Sequence, residues 1–413
     1  MKYTYYSILT LFFLLVSCVD ESPNKGEITP NLRALEETEK KLVNAGTAFS
    51  VRLFQQLSKE EGNLFFSPFS IHQALSMAMN GNKEELLEEY LETLHFDNIS
   101  LEDANLANQG LTKFLKDVDP NVKINIANSI WYQEGLDLKS QFQETLQMQY
   151  LATISSLDMQ SPGSKEIINQ WVDDQTEGLI QDLIDQVDPA AVMYLINAIY
   201  YYGDWKYQFD PQNTTEQPFH ISSSQTTPVE MMRLEEATTL KTYQANGFKY
   251  LEIPYSTGQY IMGVLLPDAF NLEEAKSNFN LNNLHAWREE AKEGNIKLEM
   301  PKFKMKIKIQ NLKEDLIEMG LSTPFQQDPR NFTEIFETPT EPLKISRVIH
   351  EALIEVDEKG TEAAAATAVE VVVTSVPAEP PVIRLDRPFV FFIQEKHSGT
   401  ILFMGVLKDP SKL

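Results

Sequence analysis

Ser67, Ser70 and His350 are the residues of this sequence whose types could together support hydroxyl-nucleophile chemistry. A serine becomes a nucleophile when an imidazole takes its proton. Buried serines and histidines more often satisfy one another's hydrogen bonds than catalyse, and nothing else in the chain favours the catalytic alternative. There is no Gly-x-Ser-x-Gly elbow, no His-Glu-x-x-His, no Walker loop and no Gly-x-Gly-x-x-Gly. The histidines at 72, 95, 220, 285, 350 and 397 include no pair at metal-ligand spacing on an expected helix. No catalytic residue, metal site or cofactor is therefore expected. With 35 Lys and Arg against 60 Asp and Glu, the formal charge is −25, which argues against a nucleic-acid or polyanionic-glycan footprint.

The single cysteine, Cys18, excludes an internal disulfide. Residues 1–17 carry a basic start at Lys2, an apolar run Ile8–Val16 and a small Ser17, the pattern of a signal peptide, too short to span a membrane as a helix. Leu15-Val16-Ser17-Cys18 resembles a bacterial lipobox, in which the leader is cut before the cysteine and its thiol is acylated; the alternative is a lone reactive thiol. Residues 18–38, polar and interrupted by Pro23 and Pro30, suit a flexible tether, and 39–413 reads as one domain. These features predict a cell-envelope lipoprotein, at the outer membrane or cell surface of a Gram-negative bacterium, touching the membrane through its lipid only.

The unusual stretch is Ala352–Pro381. Ala352, Ile354 and Val356 alternate with Leu353, Glu355 and Asp357 as in a half-buried strand, which ends at Glu358-Lys359-Gly360. In the Thr361–Thr374 run that follows, one two-residue face holds Thr361, Ala363, Ala365, Thr367, Val369, Val371 and Val373, and the other carries Glu362 and Glu370. Alanine content also suits a surface helix. The valine run fits a strand better. The following Pro377, Pro380 and Pro381 deny that strand a partner at its end. A segment able to be a strand but held out as a loop is a two-state element.

The elements that must position it are helical early and extended late. Leu42, Ala45, Phe49, Leu53 and Leu57 predict an amphipathic helix, and Ser70 is the expected N-cap of a second one through Met77. Val122, Ile124 and Ile126 alternate with polar residues as a strand, whereas the apolar run Tyr194–Tyr202 predicts one covered on both faces. Leu251–Tyr255 and Tyr260–Leu266 flank a glycine turn, and Phe389–Ile393 and Thr400–Leu407 flank another. The expected class is α+β with large antiparallel sheets.

Four segments resemble signatures of the serpin family: Asn63–Ile71, Ala127–Trp131, Asn197–Trp205 and Leu385–Phe391, in family order within a resemblance running from about 39 to 410. The resemblance implies three β-sheets, eight or nine helices and an exposed reactive loop at about 358–381. It implies a hinge at Glu358, Gly360, Thr361, Ala363, Ala365 and Thr367, whose inward positions are small and favour inhibition over storage or carrier roles. Counting the family's usual interval from Gly360 puts the scissile bond at Thr374–Ser375, or at Val373–Thr374 if the count slips by one. Ser67, Ser70, Asn197 and His350 match the shutter under the opening sheet, Trp205 the breach tryptophan, and Lys302 the partner of Glu358, with a surface ion pair of little weight as the alternative. The implied function is a suicide-substrate inhibitor of serine proteases, not an enzyme. Small uncharged residues before the cut suit elastase-like and subtilisin-like pockets, with cysteine proteases a further class. A monomer is expected. So is indifference to heparin-like chains, because Lys83–Asn98, matched to the family's polyanion-binding helix, carries five glutamates and one lysine. The competing readings are a non-inhibitory serpin and, from another class, a surface enzyme or glycan-binding module.

Overall fold

The stripe Leu42, Ala45, Phe49 and Leu53 is buried on α1 (Glu37–Leu57). In the computed structural model, which describes residues 29–338, 342–360 and 379–412, this helix starts at a capping box formed by Glu36 and Glu39. Glu39 is buried, and Arg33 forks onto its carboxylate at 2.6 and 2.7 Å while donating to the Gly110 carbonyl at 3.0 Å. Asn31 N–H donates to the Val118 carbonyl at 2.7 Å. Packing against the domain therefore begins at Asn31 rather than at 39, because a buried carboxylate draws its counter-ion from the polar stretch that reads as tether.

After strand β1 (Leu64–Phe66) comes α2 (Pro68–Met79). Its N-cap is Ser67, not Ser70: Pro68 occupies the first turn, and Ser67 Oγ accepts from Ser70 N–H at 3.1 Å. Helices α3 (Glu84–Thr93) and α4 (Leu101–Asp117) lead to β2 (Lys123–Gln133), then α5 (Ser140–Gln149), β3 (Thr153–Leu157), α6 (Ser164–Gln175) and β4 (Met193–Tyr202). Four strands follow, β5 (Thr215–His220), β6 (Thr226–Arg233), β7 (Thr238–Gln244) and β8 (Phe248–Pro254), the last joined to β9 (Tyr260–Pro267) by the anticipated hairpin. Helices α7 (Leu272–Asn278) and α8 (Leu281–Glu290) precede β10 (Lys292–Pro301) and β11 (Phe303–Ile309). Helix α9 (Lys313–Glu318), β12 (His350–Val356), β13 (Val382–Arg384), β14 (Phe389–Glu395) and β15 (Ile401–Leu407) complete the order.

The strands form three sheets. The largest runs β1-β15-β14-β9-β8-β7-β10-β6-β5, with β13 beside β10. Its hairpin β14–β15 is buried at every position and supplies much of the core with Phe65, Phe279 and Trp287. The second sheet is β3-β2-β4 and the third is β11-β12. Among the described residues, nine α-helices surround them. Strand β4 departs from the double coverage its apolar run suggests: Ile196 and Ala198–Tyr200 are buried, but Met193–Leu195 and Tyr201–Tyr202 are only half-buried.

Candidate functional site: a two-part sheet and its hinge

β4 and β12 face each other across the molecule without forming a ladder among the described residues. β4 pairs with β2 from Lys123↔Tyr202 to Tyr132↔Met193, and β12 pairs with β11 from Phe303↔Val356 to Ile309↔His350. Between them lies a cavity of about 390 Å³, lined by Tyr200 and Tyr202 on one side, Leu353 and Glu355 on the other, and floored by Phe65 and Phe403.

Helix α2 reaches both halves. Ser67 N–H donates to His350 Nε2 at 2.9 Å and Ser67 Oγ donates to the Leu402 carbonyl at 2.7 Å. Asn197 Nδ2 donates to Gln73 Oε1 at 3.2 Å and to Asn128 Oδ1 at 2.6 Å, while Gln73 Nε2 donates to Thr112 Oγ1 at 2.8 Å. Ser70 and His350 thus both bond to Ser67, and Asn197 joins them through Gln73 in the middle of the same helix. Sequence reasoning missed Gln73 and Asn128. Their signal was a lone amide inside an otherwise apolar helix face and inside an apolar strand. The imidazole accepts from a backbone amide, not from a serine hydroxyl, so Ser67, Ser70 and His350 form a bracing network and not a nucleophile–base pair. Burial pushes the His350 imidazole down to about 4, so it is neutral and can accept.

At the other end the chain leaves β12 in a tight turn. Trp205 stacks on Tyr255 at 4.3 Å, and its Nε1–H donates to the Asp357 carbonyl at 2.9 Å. Trp205 N–H donates to the Lys359 carbonyl at 2.9 Å and Phe209 N–H to that of Glu358 at 2.8 Å. The buried Glu358 carboxylate accepts from Lys302 Nζ at 2.9 Å and from Thr214 Oγ1 at 2.8 Å. Burial alone would raise that carboxyl; the Lys302 ammonium and the Thr214 hydroxyl hold it below its ordinary value. Its hydrogen bond to Glu358 raises Lys302 in turn. The pair is therefore a turn anchor, more than the surface ion pair weighed as the alternative. Gly360 adopts φ +105°, and a Cβ there would sit 2.6 Å from the Gly203 carbonyl oxygen and closer still to Trp205 N. Only glycine fits.

Of the expected site residues, Glu358, Gly360, Trp205 and Lys302 thus converge at one end, while Ser67, Ser70, Asn197 and His350 brace the two halves lower down. Thr361, Ala363, Ala365, Thr367, Val373, Thr374, Ser375 and Cys18 lie outside the described residues, as does the signal peptide.

The family model described as serpin (serine protease inhibitor) matches residues 44–410. This chain belongs to the serpin family. A protein named as an uncharacterized serpin-like protein of Methanosarcina acetivorans is 30% identical over 98% of this chain and 97% of its own length. A serine protease inhibitor of Mus musculus is 33% identical over 89% of this chain and 88% of its own. The leukocyte elastase inhibitor of Homo sapiens is 30% identical, with 89% and 99% covered. Among solved structures, human thyroxine-binding globulin superposes with a TM-score of 0.81 at 27% identity, covering 90% of this chain and 99% of that one. Maspin does so at 0.81 and 26%, covering 91% and 100%. The serpin fold is α+β, and membership makes the chain a protease inhibitor by family rather than an enzyme.

Proposed function

We propose that this serpin is a suicide-substrate inhibitor of elastase-like and subtilisin-like serine proteases. The protease's serine oxygen attacks the carbonyl carbon of Thr374, or of Val373. The bond to the next nitrogen breaks, the new amine departs with the serine's proton, and the upstream part of the loop stays esterified to the enzyme. The freed segment then enters the central sheet between β4 and β12. Both strands run toward the hinge, and the chain reverses at Asp357–Gly360, so an entering strand is antiparallel to both neighbours. Thr361–Thr374 as a strand spans about 45 Å, enough to carry the enzyme from one pole of the domain toward the other. Inhibition is then a race between insertion and deacylation.

The observation that supports this reading best is the division of the central strands into two sheets, braced from below by one helix and separated by a cavity. Parting them remakes a small number of hydrogen bonds at Ser67, His350, Asn197 and Gln73. The small uncharged residues before the cut support the choice of targets, since a trypsin-like pocket wants Arg or Lys. We place the protein in the bacterial cell envelope through acylated Cys18, as a monomer indifferent to polyanions. Exposed Glu84, Glu85 and Glu88 on α3 agree with the last point.

Incubation with an elastase-type protease tests the mechanism. The expected result is a complex that survives denaturing electrophoresis, together with a higher melting temperature for the loop-cleaved protein. Cleavage without complex and without a thermal gain points instead to a non-inhibitory serpin and overturns the proposal.

A further inference from the structure

We propose that the face built from the N-terminal strap (residues 30–36), the outer stripe of α4 and the end of α5 lies against the lipid bilayer. This rests on the reading of Cys18 as the lipid anchor and replaces the expectation that the lipid alone touches the membrane.

Met148 and Leu151, with 60% and 61% of their surfaces exposed, are the most exposed large apolar side chains among the described residues. Gln109 Nε2 donates to the Met148 carbonyl at 2.7 Å and holds the end of α5 against α4. One turn before Gln109 lies Leu106, and one turn after it Lys113, both exposed on the same side of α4. The strap crosses this helix, pinned at Asn31 to Val118 and at Arg33 to Gly110, and between those two residues it carries Leu32, 54% exposed. Arg33, Lys113 and Lys116 border an open groove beside it. Three cations together are a local departure in a chain of charge −25. The acids nearby are exposed Glu36 in the strap itself, Glu39, which Arg33 neutralises, Asp117 in the groove, Glu102 one turn before Leu106 and exposed Glu144 one turn before Met148. Apolar groups interspersed with basic ones suit the headgroup region of a bilayer.

The tether selects the occupant. Cys18 and Asn31 are 13 positions apart, which an extended chain spans in at most about 45 Å. Residues 19–28 offer only Val19 and Ile28 as large apolar groups among Asp20, Glu21 and Glu27, too few to cover Leu32, Leu106, Met148 and Leu151. An anchored domain meets the bilayer at high effective concentration, so a patch with weak intrinsic lipid affinity suffices.

The test uses the full acylated chain on mixed phosphatidylethanolamine and phosphatidylglycerol vesicles. An environment-sensitive dye is placed on Met148→Cys or on Phe270→Cys, the latter beyond the far end of β9, and nitroxide-labelled lipid serves as quencher. Several-fold stronger quenching at 148 than at 270, lost in Lys113→Glu/Lys116→Glu while flotation and protease inhibition persist, is the expected result. Equal quenching at both sites with the protein floating overturns the face alone. Failure to float overturns the anchor, by a separate readout. A dye shift at 148 without vesicles, accompanied by sedimentation as a dimer, assigns the face to a second copy and refutes the bilayer.

Discussion

Replacing Gly360 by alanine attacks the hinge at the point where it has least room. Gly360 holds φ +105°, a conformation that costs an L-residue about 1–2 kcal/mol. Its new Cβ would meet backbone rather than a movable side chain, with Gly203 O at 2.6 Å and the Asp204 carbonyl carbon at 2.7 Å. The turn must therefore back away from Trp205 and surrender the bond from Trp205 N–H to the Lys359 carbonyl. That bond is worth about 1 kcal/mol net. A total near 2–3 kcal/mol corresponds to a fall in melting temperature of roughly 2–4 °C for a chain of this size. The uncleaved protein should also lose inhibitory capacity faster on standing at 37 °C, because an undocked hinge favours insertion without cleavage. Gly294→Ala is the matched control, since its added Cβ meets nothing closer than Ile296 at 4.0 Å. Differential scanning calorimetry of both variants decides the matter. A Gly360→Ala protein that melts with the wild type, or no lower than Gly294→Ala, would show that this contact does not hold the hinge.

Three further outcomes are expected. Ala365→Arg should convert inhibitor to substrate by burying an unpaired guanidinium on insertion, at several kcal/mol, whereas Ala364→Arg should do much less; equal stoichiometries of inhibition for the two would defeat the alternating-face argument. Burial pushes both His72 and His350 down to about 4, below the unfolded value, so the folded state binds fewer protons and stability is full above about pH 6.5 and lost as pH falls toward 4. Each histidine accounts for about 3 kcal/mol over that window; a melting temperature that stays level between pH 7.5 and 5 contradicts this. Finally, Cys18→Ser should move the protein from the membrane fraction to the soluble one with inhibition intact, and a purified variant that no longer inhibits would couple anchor to domain.

Periodicity located the strands and helices because each has one face to bury, and α1, β2, β12 and the β14–β15 hairpin follow their patterns. Patterns were less informative where one polar atom chooses between two partners. Ser67 takes the helix cap from Ser70 because Pro68, with its fixed φ and no N–H to satisfy, suits the first helical position. Arg33 leaves the presumed tether because Glu39 is buried. Gln73 and Asn128 stood in plain view, but a lone amide in an apolar run does not name its partner, and here each partner comes from a different element.

β4 teaches more than the elements that were read correctly. Its apolar run demanded cover on both faces, yet the strand ends are half-buried, and a cavity lies where a neighbour would stand. Leaving Met193–Leu195 and Tyr201–Tyr202 partly in water sacrifices burial that the same residues would recover beside another strand. The one segment that combines a small-residue face with direct continuation from β12 is Thr361–Thr374, joined through the Gly360 turn. Sequence and structure then disagree at β4 for a physical reason: the residues are suited to a fuller sheet than the one in which they stand. Under the proposed insertion mechanism, a sheet with that mismatch would hold a free-energy difference in reserve, which the network at Ser67, His350, Asn197 and Gln73 and the turn at Trp205 and Lys302 would keep from being released before the loop is cut.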